Sequence, residues 1–160
     1  MENVLLFLTP KSTVTYLEDD FTLRQTIEKM KFHRYSAVPI VDKNGKYVGT
    51  ITEGDIFWYI YNNQSKLATT YDLEDVQLKD VPRNRDNTAV SASAKISDLI
   101  NIAINQNFVP VVDDSNSFIG IITRKSVIEH LLKIKIHVFK AWFFSSVFKT
   151  DYWQQHLCCF

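Results

Sequence analysis

Only four glycines stand in this 160-residue chain, at positions 45, 49, 54 and 120. Their placement excludes the GxGxxG dinucleotide fingerprint and the phosphate-binding Walker loop. Cysteine is scarcer still, with Cys158 and Cys159 side by side near the end. Neighbouring Cα atoms are about 3.8 Å apart, short of the roughly 4.4–6.8 Å that a disulfide spans. Without a disulfide framework, the expected compartment is a reducing cytoplasm. Charge of one sign is missing too: 18 basic residues balance 18 acidic ones. Nothing global attracts the chain to nucleic acid or to an anionic membrane, so any anion binding must come from local clusters. The apolar opening "MENVLLFLTP" has no basic n-region and is too short to cross a bilayer, so no integral membrane segment is expected there. The histidines at 33, 130, 137 and 156 form neither HExxH nor a Cys/His zinc pattern, and no Gly-x-Ser-x-Gly elbow occurs. No carboxylate pair stands apart from turn and cap positions. No catalytic constellation emerges, and the chain is expected not to be an enzyme.

What is present is a core and a repeat. Apolar residues make up 46% of the chain, enough for a buried interior. Residues 37–60, "AVPIVDKNGKYVGTITEGDIFWYI", align without a gap on residues 108–131, "FVPVVDDSNSFIGIITRKSVIEHL". Seven of the 24 positions are identical, where chance gives roughly one or two. The match continues upstream: Leu23, Ile27 and Met30 answer Ile96, Ile100 and Ala103, and Pro10-Lys11 answers Pro82-Arg83.

Both copies share one local grammar. The apolar triplets fall at i, i+4 and i+7, which predicts a helix, capped by Asp20 or Thr22 in the first copy and by Ser93 in the second. A short strand follows, "VPIV" or "FVPVV", then a turn rich in Asp, Asn, Ser and Gly, then a second strand, "YVGTIT" or "FIGIIT". The two strands suit an antiparallel hairpin. A last helix starts at Thr52 or Thr123. A unit of about 50 residues buries too little surface to be comfortably stable alone. The expected fold class is therefore α+β: two repeats, each a small sheet with two helices, packed as an intramolecular pair. The expected organisation is a first repeat with the N-terminal segment (1–62), a polar linker (63–80) with a helical turn at "DLED", a second repeat (81–135) and an aromatic-rich tail (136–160).

The doubled phrase of apolar-Pro-Val-Val-Asp strand, turn and Gly-x-x-Thr-x-x-Asp resembles a tandem cystathionine-β-synthase (CBS) domain pair, a Bateman module. "VPIVDKNGKYVGTITEGD" fits throughout, whereas "VPVVDDSNSFIGIITRKS" ends on Ser126 instead of an acid. The resemblance covers roughly residues 8–135. It implies a module that binds adenosine-containing ligands in clefts between the repeats, as a regulatory ligand rather than a cofactor, and reports occupancy to a protein partner. It also implies a homodimer. More narrowly, Lys11, Pro82-Arg83 and Thr123-Arg124-Lys125 are similar to the basic positions of small stand-alone bacterial pairs that bind cyclic di-AMP.

Two readings of Thr52 and Asp55 stand side by side. Thr-x-x-Asp at a helix start makes a capping box. Within the family phrase, the threonine and helix N–H groups would hold a phosphate and the carboxylate a ribose diol. At Thr123-Arg124-Lys125-Ser126 the return bond of the box is lost, and two cations stand where the helix dipole disfavours them. They are solvated surface charges or a phosphate site. Lys11, Thr13, Arg83 and Arg85 lie at the matched entrances of the repeats, as loop residues or as phosphate contacts. The resemblance makes Ala37, Val38 and Pro39, with Phe108, Val109 and Pro110, walls of adenine pockets as well as strand residues, and Phe108 would stack on a base. His33-Arg34-Tyr35 suits a helix C-terminus electrostatically. The tail holds eight of the chain's 21 aromatics. It packs on the module, docks on a partner or membrane surface, or extends freely. The sequence supports an adenine-nucleotide sensor, plausible ligands being cyclic di-AMP, AMP, ADP or ATP; the rival is an oligomerisation module with an unoccupied cleft.

Overall fold

The computed structural model describes residues 3–64 and 73–136. In chain order the elements are β1 (Thr9–Pro10), β2 (Leu17–Glu18), α1 (Leu23–His33), β3 (Ala37–Val41), β4 (Tyr47–Thr52), α2 (Glu53–Asn62), β5 (Val90–Ser91), α3 (Ile96–Ala103), β6 (Phe108–Val112) and β7 (Phe118–Thr123), with residues 124–136 helical. The chain divides into two compact units, 1–124 and 125–160. Of the second, the described part is the helical stretch 125–136. The readings of the tail beyond residue 136, and of linker residues 65–72, lie outside the described residues.

The repeated aspartate builds each hairpin turn. Asp42 Oδ1 accepts the amides of Asn44 and Lys46, both at 2.8 Å. Asp113 Oδ1 accepts those of Ser115 at 2.9 Å and Ser117 at 2.8 Å. The Lys46 amide, above all, holds the Asp42 carboxyl below its ordinary range, and the Ser115 hydroxyl, followed by the Ser117 amide, lowers Asp113 in the same way. The strands on either side pair antiparallel in equivalent registers, Ala37 opposite Thr52 and Phe108 opposite Thr123. Both ladders shift at the same place, between Ile40 and Val41 and between Val111 and Val112. A short parallel strand completes each set, β2 on β3 and β5 on β6. The result is the mixed fold of two matched repeats, and the hairpins meet: the Phe118 amide donates to the Gly45 carbonyl at 2.8 Å, and the Tyr47 and Phe118 rings stack at 6.3 Å.

Each repeat borrows a segment that leads into the other. β1 adds antiparallel to β7, giving the order β1-β7-β6-β5, and Val4 and Phe7 before it are buried. Reciprocally, residues 73–81 run along the first repeat. The Leu23 amide donates to the Val76 carbonyl at 2.8 Å, and the Leu78 amide to the Phe21 carbonyl at 2.7 Å. Leu78 is fully buried among Leu17, Leu23, Val38 and Ile51. The segment read as a polar linker thus carries a core side chain, and the turn expected at "DLED" is not helical in its described residues 73–75; the helical turn comes later, a 3-10 turn at Leu78–Asp80.

Helix ends match expectation once and depart from it once. Thr22 caps α1 in a full capping box with Gln25, and Arg34 closes the helix in the left-handed region at φ 56°. For α3 the expected Ser93 cap is replaced by Lys95, which makes no side-chain cap bond. Ser93 instead bonds Ser91, two residues back on the incoming strand. Leu99 and Ala103 form the buried face of α3, while Ile96 and Ile100 flank it half-buried.

Candidate ligand-binding site

The first Thr-x-x-Asp phrase forms a complete cap. The Asp55 amide donates to Thr52 Oγ1 at 3.1 Å, and the Thr52 amide to Asp55 Oδ2 at 3.0 Å. The Thr52 hydroxyl lies 2.6 Å from the same oxygen. Asp55 is buried, and its other oxygen, Oδ1, accepts the Asn84 amide at 3.0 Å. The carboxylate therefore ties the start of α2 to the loop that opens the second repeat.

That loop is laced to β4 at two further points. Asp86 Oδ1 accepts the Thr50 amide at 2.8 Å and Arg83 Nε at 2.9 Å. The Tyr47 hydroxyl bonds Thr50 Oγ1 and donates to the Asn87 carbonyl, both at 2.8 Å. Burial pushes that hydroxyl's pKa up to about 12, so it is a neutral donor at physiological pH. Gly49 makes the lacing possible, because a Cβ there would collide with the Asp86 carboxylate and the Arg83 guanidinium.

Between α2 and this loop lies a cleft of about 600 Å³. Its α2 wall runs from Thr52 through Asp55, Trp58, Tyr59, Asn62 and Asn63, with Trp58 and Tyr59 at i+3 and i+4 and Asn62 at i+7 from Asp55. Pro82, Arg83, Asn84 and Arg85 form the other side. Of the residues singled out from sequence, Thr52, Asp55, Arg83 and Arg85 thus meet in one place. Trp58, Tyr59 and the two asparagines were not singled out; their spacing from Asp55 along the helix was the available signal. Asp86 was missed as well, since its role depends on a turn between loop and strand.

The other candidates stand elsewhere. Lys11 lies over the Tyr16 ring at 4.9 Å and lines a separate cleft with Glu18 and Asp42. The Thr13 hydroxyl donates to the Pro10 carbonyl at 3.0 Å. Ala37 is half-buried and Val38 and Pro39 are buried, and none of the three lines the Thr52 cleft. Phe108, Val109 and Pro110 are buried strand residues. The Phe108 carbonyl accepts the Asn87 carboxamide at 2.9 Å. Lys125, exposed, stands 3.8 Å from Glu129 within the second unit, where Ser126 is half-buried.

Arg124 has a structural task. Its Nε donates to the carbonyls of Ala103 at 3.1 Å and Gln106 at 2.9 Å, near the end of α3. A guanidinium there bonds the last carbonyl of α3, at Ala103, and one in the turn beyond it. Arg124→Ala is expected to lower stability by about 1–2 kcal/mol. Urea unfolding checks this, and an unchanged midpoint would mean that these two bonds contribute nothing net.

A family model described as "CBS domain" matches residues 8–62 and again 78–133. The chain belongs to the CBS domain family. Its two repeats are a tandem CBS pair, the fold seen in solved structures of similar proteins. A CbpB crystallised in complex with c-di-AMP superposes with a TM-score of 0.76 at 26% identity, covering 88% of this chain and 90% of that one. CbpB from Streptococcus agalactiae gives 0.72 at 26% identity, covering 86% and 84%. The CBS pair is also similar to inosine-5'-monophosphate dehydrogenase of Methanocaldococcus jannaschii, 29% identical over 119 residues. That match takes in 74% of this chain but 22% of the dehydrogenase. Among the described residues, no helix is long and apolar enough to cross a membrane.

Proposed function

We propose that this CBS pair is a non-catalytic sensor that binds an adenine nucleotide, cyclic di-AMP foremost, and passes its occupancy to a protein partner, acting as a homodimer in the cytoplasm. The observation that carries the reading is the convergence of Thr52, Asp55, Arg83 and Arg85 on one cleft. Its basis in kinship is the similarity to a CBS protein crystallised with c-di-AMP over most of both chains. The start of α2 offers its dipole to a phosphate, while the Thr52, Glu53 and Asp55 amides and the Thr52 hydroxyl already bond within the protein, and the two arginines add charge-assisted bonds. Asp55 Oδ2 already accepts the Thr52 amide and hydroxyl, whereas Oδ1 accepts only the Asn84 amide and keeps a lone pair for one hydroxyl of a ribose diol. On this reading Lys11, Thr13, Thr123, Arg124, Lys125 and Ser126, with strand residues Ala37–Pro39 and Phe108–Pro110, serve ligand binding only at a further cleft.

Calorimetric titration with cyclic di-AMP, AMP, ADP and ATP tests the proposal. Micromolar binding of cyclic di-AMP is the expected result. Binding of AMP or ATP alone removes the cyclic dinucleotide, and binding of none removes the sensor.

One observation favours the rival reading, a structural or oligomerisation module. Asp55 is committed to Thr52 and Asn84, and Arg83 to Asp86, with no ligand needed to satisfy them. Thermal melting separates the two readings. A ligand at 100 times its Kd adds about 2.7 kcal/mol to a binding protein, whereas a structural module melts at the same temperature with every nucleotide.

A further inference from the structure

The cleft along α2 contains one large aromatic surface that its capping and lacing contacts do not use. Trp58 keeps 59% of its surface exposed, although it is the largest apolar side chain lining the cleft. Its described ring neighbours meet it nearly edge-on, Phe57 at 76° and 5.2 Å and Tyr61 at 86° and 5.9 Å. Neither lies parallel to the indole. They leave it without a stacked partner among those contacts.

Trp58 stands six residues beyond Thr52, about 9 Å along the helix axis at 1.5 Å rise per residue, and three beyond Asp55, which makes the two neighbours on the side that lines the cleft. This separation suits a nucleoside whose phosphate rests at the helix start. The strand residues offer no alternative wall in this cleft, since Val38 is 1% exposed and Ala37, Val38 and Pro39 all lie outside the lining. Resting on the nucleotide-binding reading above, we propose that Trp58 is the residue that recognises the base in this cleft, stacking on the adenine of a ligand whose phosphate lies toward Thr52, Arg83 and Arg85. Such stacking tolerates different bases but demands a flat one. It would therefore set a preference for nucleotides over sugar phosphates.

The test compares wild type, Trp58→Ala and Trp58→Phe in calorimetric titrations with cyclic di-AMP, AMP and the base-free probe ribose 5-phosphate. The alanine variant is expected to weaken both nucleotides at least about fivefold, with ribose 5-phosphate unchanged and with phenylalanine restoring most of the loss. Nucleotide affinity left unchanged by Trp58→Ala overturns this proposal and leaves the sensor standing. So does an equal loss for nucleotides and ribose 5-phosphate, which marks a merely structural role. Failure of the wild type to bind either nucleotide overturns both proposals.

Discussion

Leu78→Ala is expected to remove about 2–5 kcal/mol of stability, the range for truncating a fully buried leucine. The residue lies outside the doubled phrase, in a stretch whose neighbours Lys79 and Asp80 are exposed. Yet its side chain is 0% exposed and shares a core with Leu17, Leu23, Ile51 and Val81. Its backbone is bound as well, through the 2.7 Å bond to the Phe21 carbonyl, so the segment has little freedom to collapse into the cavity. That restraint puts the expected loss in the upper part of the range. Urea unfolding with an unchanged slope measures it, and Lys79→Ala is the control, expected within about 0.5 kcal/mol of wild type. A Leu78→Ala loss as small as the control would show that the first repeat closes its core without this segment.

Gly120→Ala is expected to cost about 3 kcal/mol or more, at the top of the overpacking range. A Cβ at this position would run into the Thr9 carbonyl and approach the Pro10 Cα at 3.1 Å. Both are backbone atoms of β1, which crosses Gly120 in register with Pro10. A side chain can turn aside, but a paired strand must leave. The expected result is a lower unfolding midpoint together with faster amide exchange across residues 4–10, the segment that β1 anchors. Gly49→Ala is the comparison. There the obstacles are the Asp86 and Arg83 side chains, which can swing, so its cost should be smaller. Equal costs for the two glycines, or unchanged exchange across residues 4–10, would show that β1 is not held by close approach at Gly120.

These two substitutions explain why the repeated phrase keeps its glycine. In the first copy Gly49 lies under the loop that opens the second repeat. In the second copy Gly120 lies under the strand that opens the first. The repeats are alike because each must receive a leading segment, and a residue without a side chain leaves room for it, for side chains at Gly49 and for backbone at Gly120.

The charge reversal between "TEGD" and "TRKS" looks different in three dimensions. Asp55 does close the capping box that its spacing announced, but it also pins Asn84. Arg124 stands at a helix start, where its charge opposes the dipole. Its Nε is turned toward the carbonyls at the end of α3. Its apparent electrostatic misplacement at one helix is thus offset by its fit to another.

The sequence by itself determined the α+β class, the two hairpins, the Thr52 cap and membership of a tandem pair, and the structure chose Thr22 over Asp20 as the cap of α1. Those features rest on interactions within a few residues and on a pattern written twice. Thr52 and Asp55 were legible for the same reason. Tertiary structure alone decided that each repeat is completed by the other's leading segment, that Leu78 is core, and that Arg83 and Arg85 join Thr52 while Lys11 does not. It also decided that Trp58 lines their cleft. Such facts depend on which distant segments approach one another, and hydrophobic period, capping chemistry and turn residues carry no record of that.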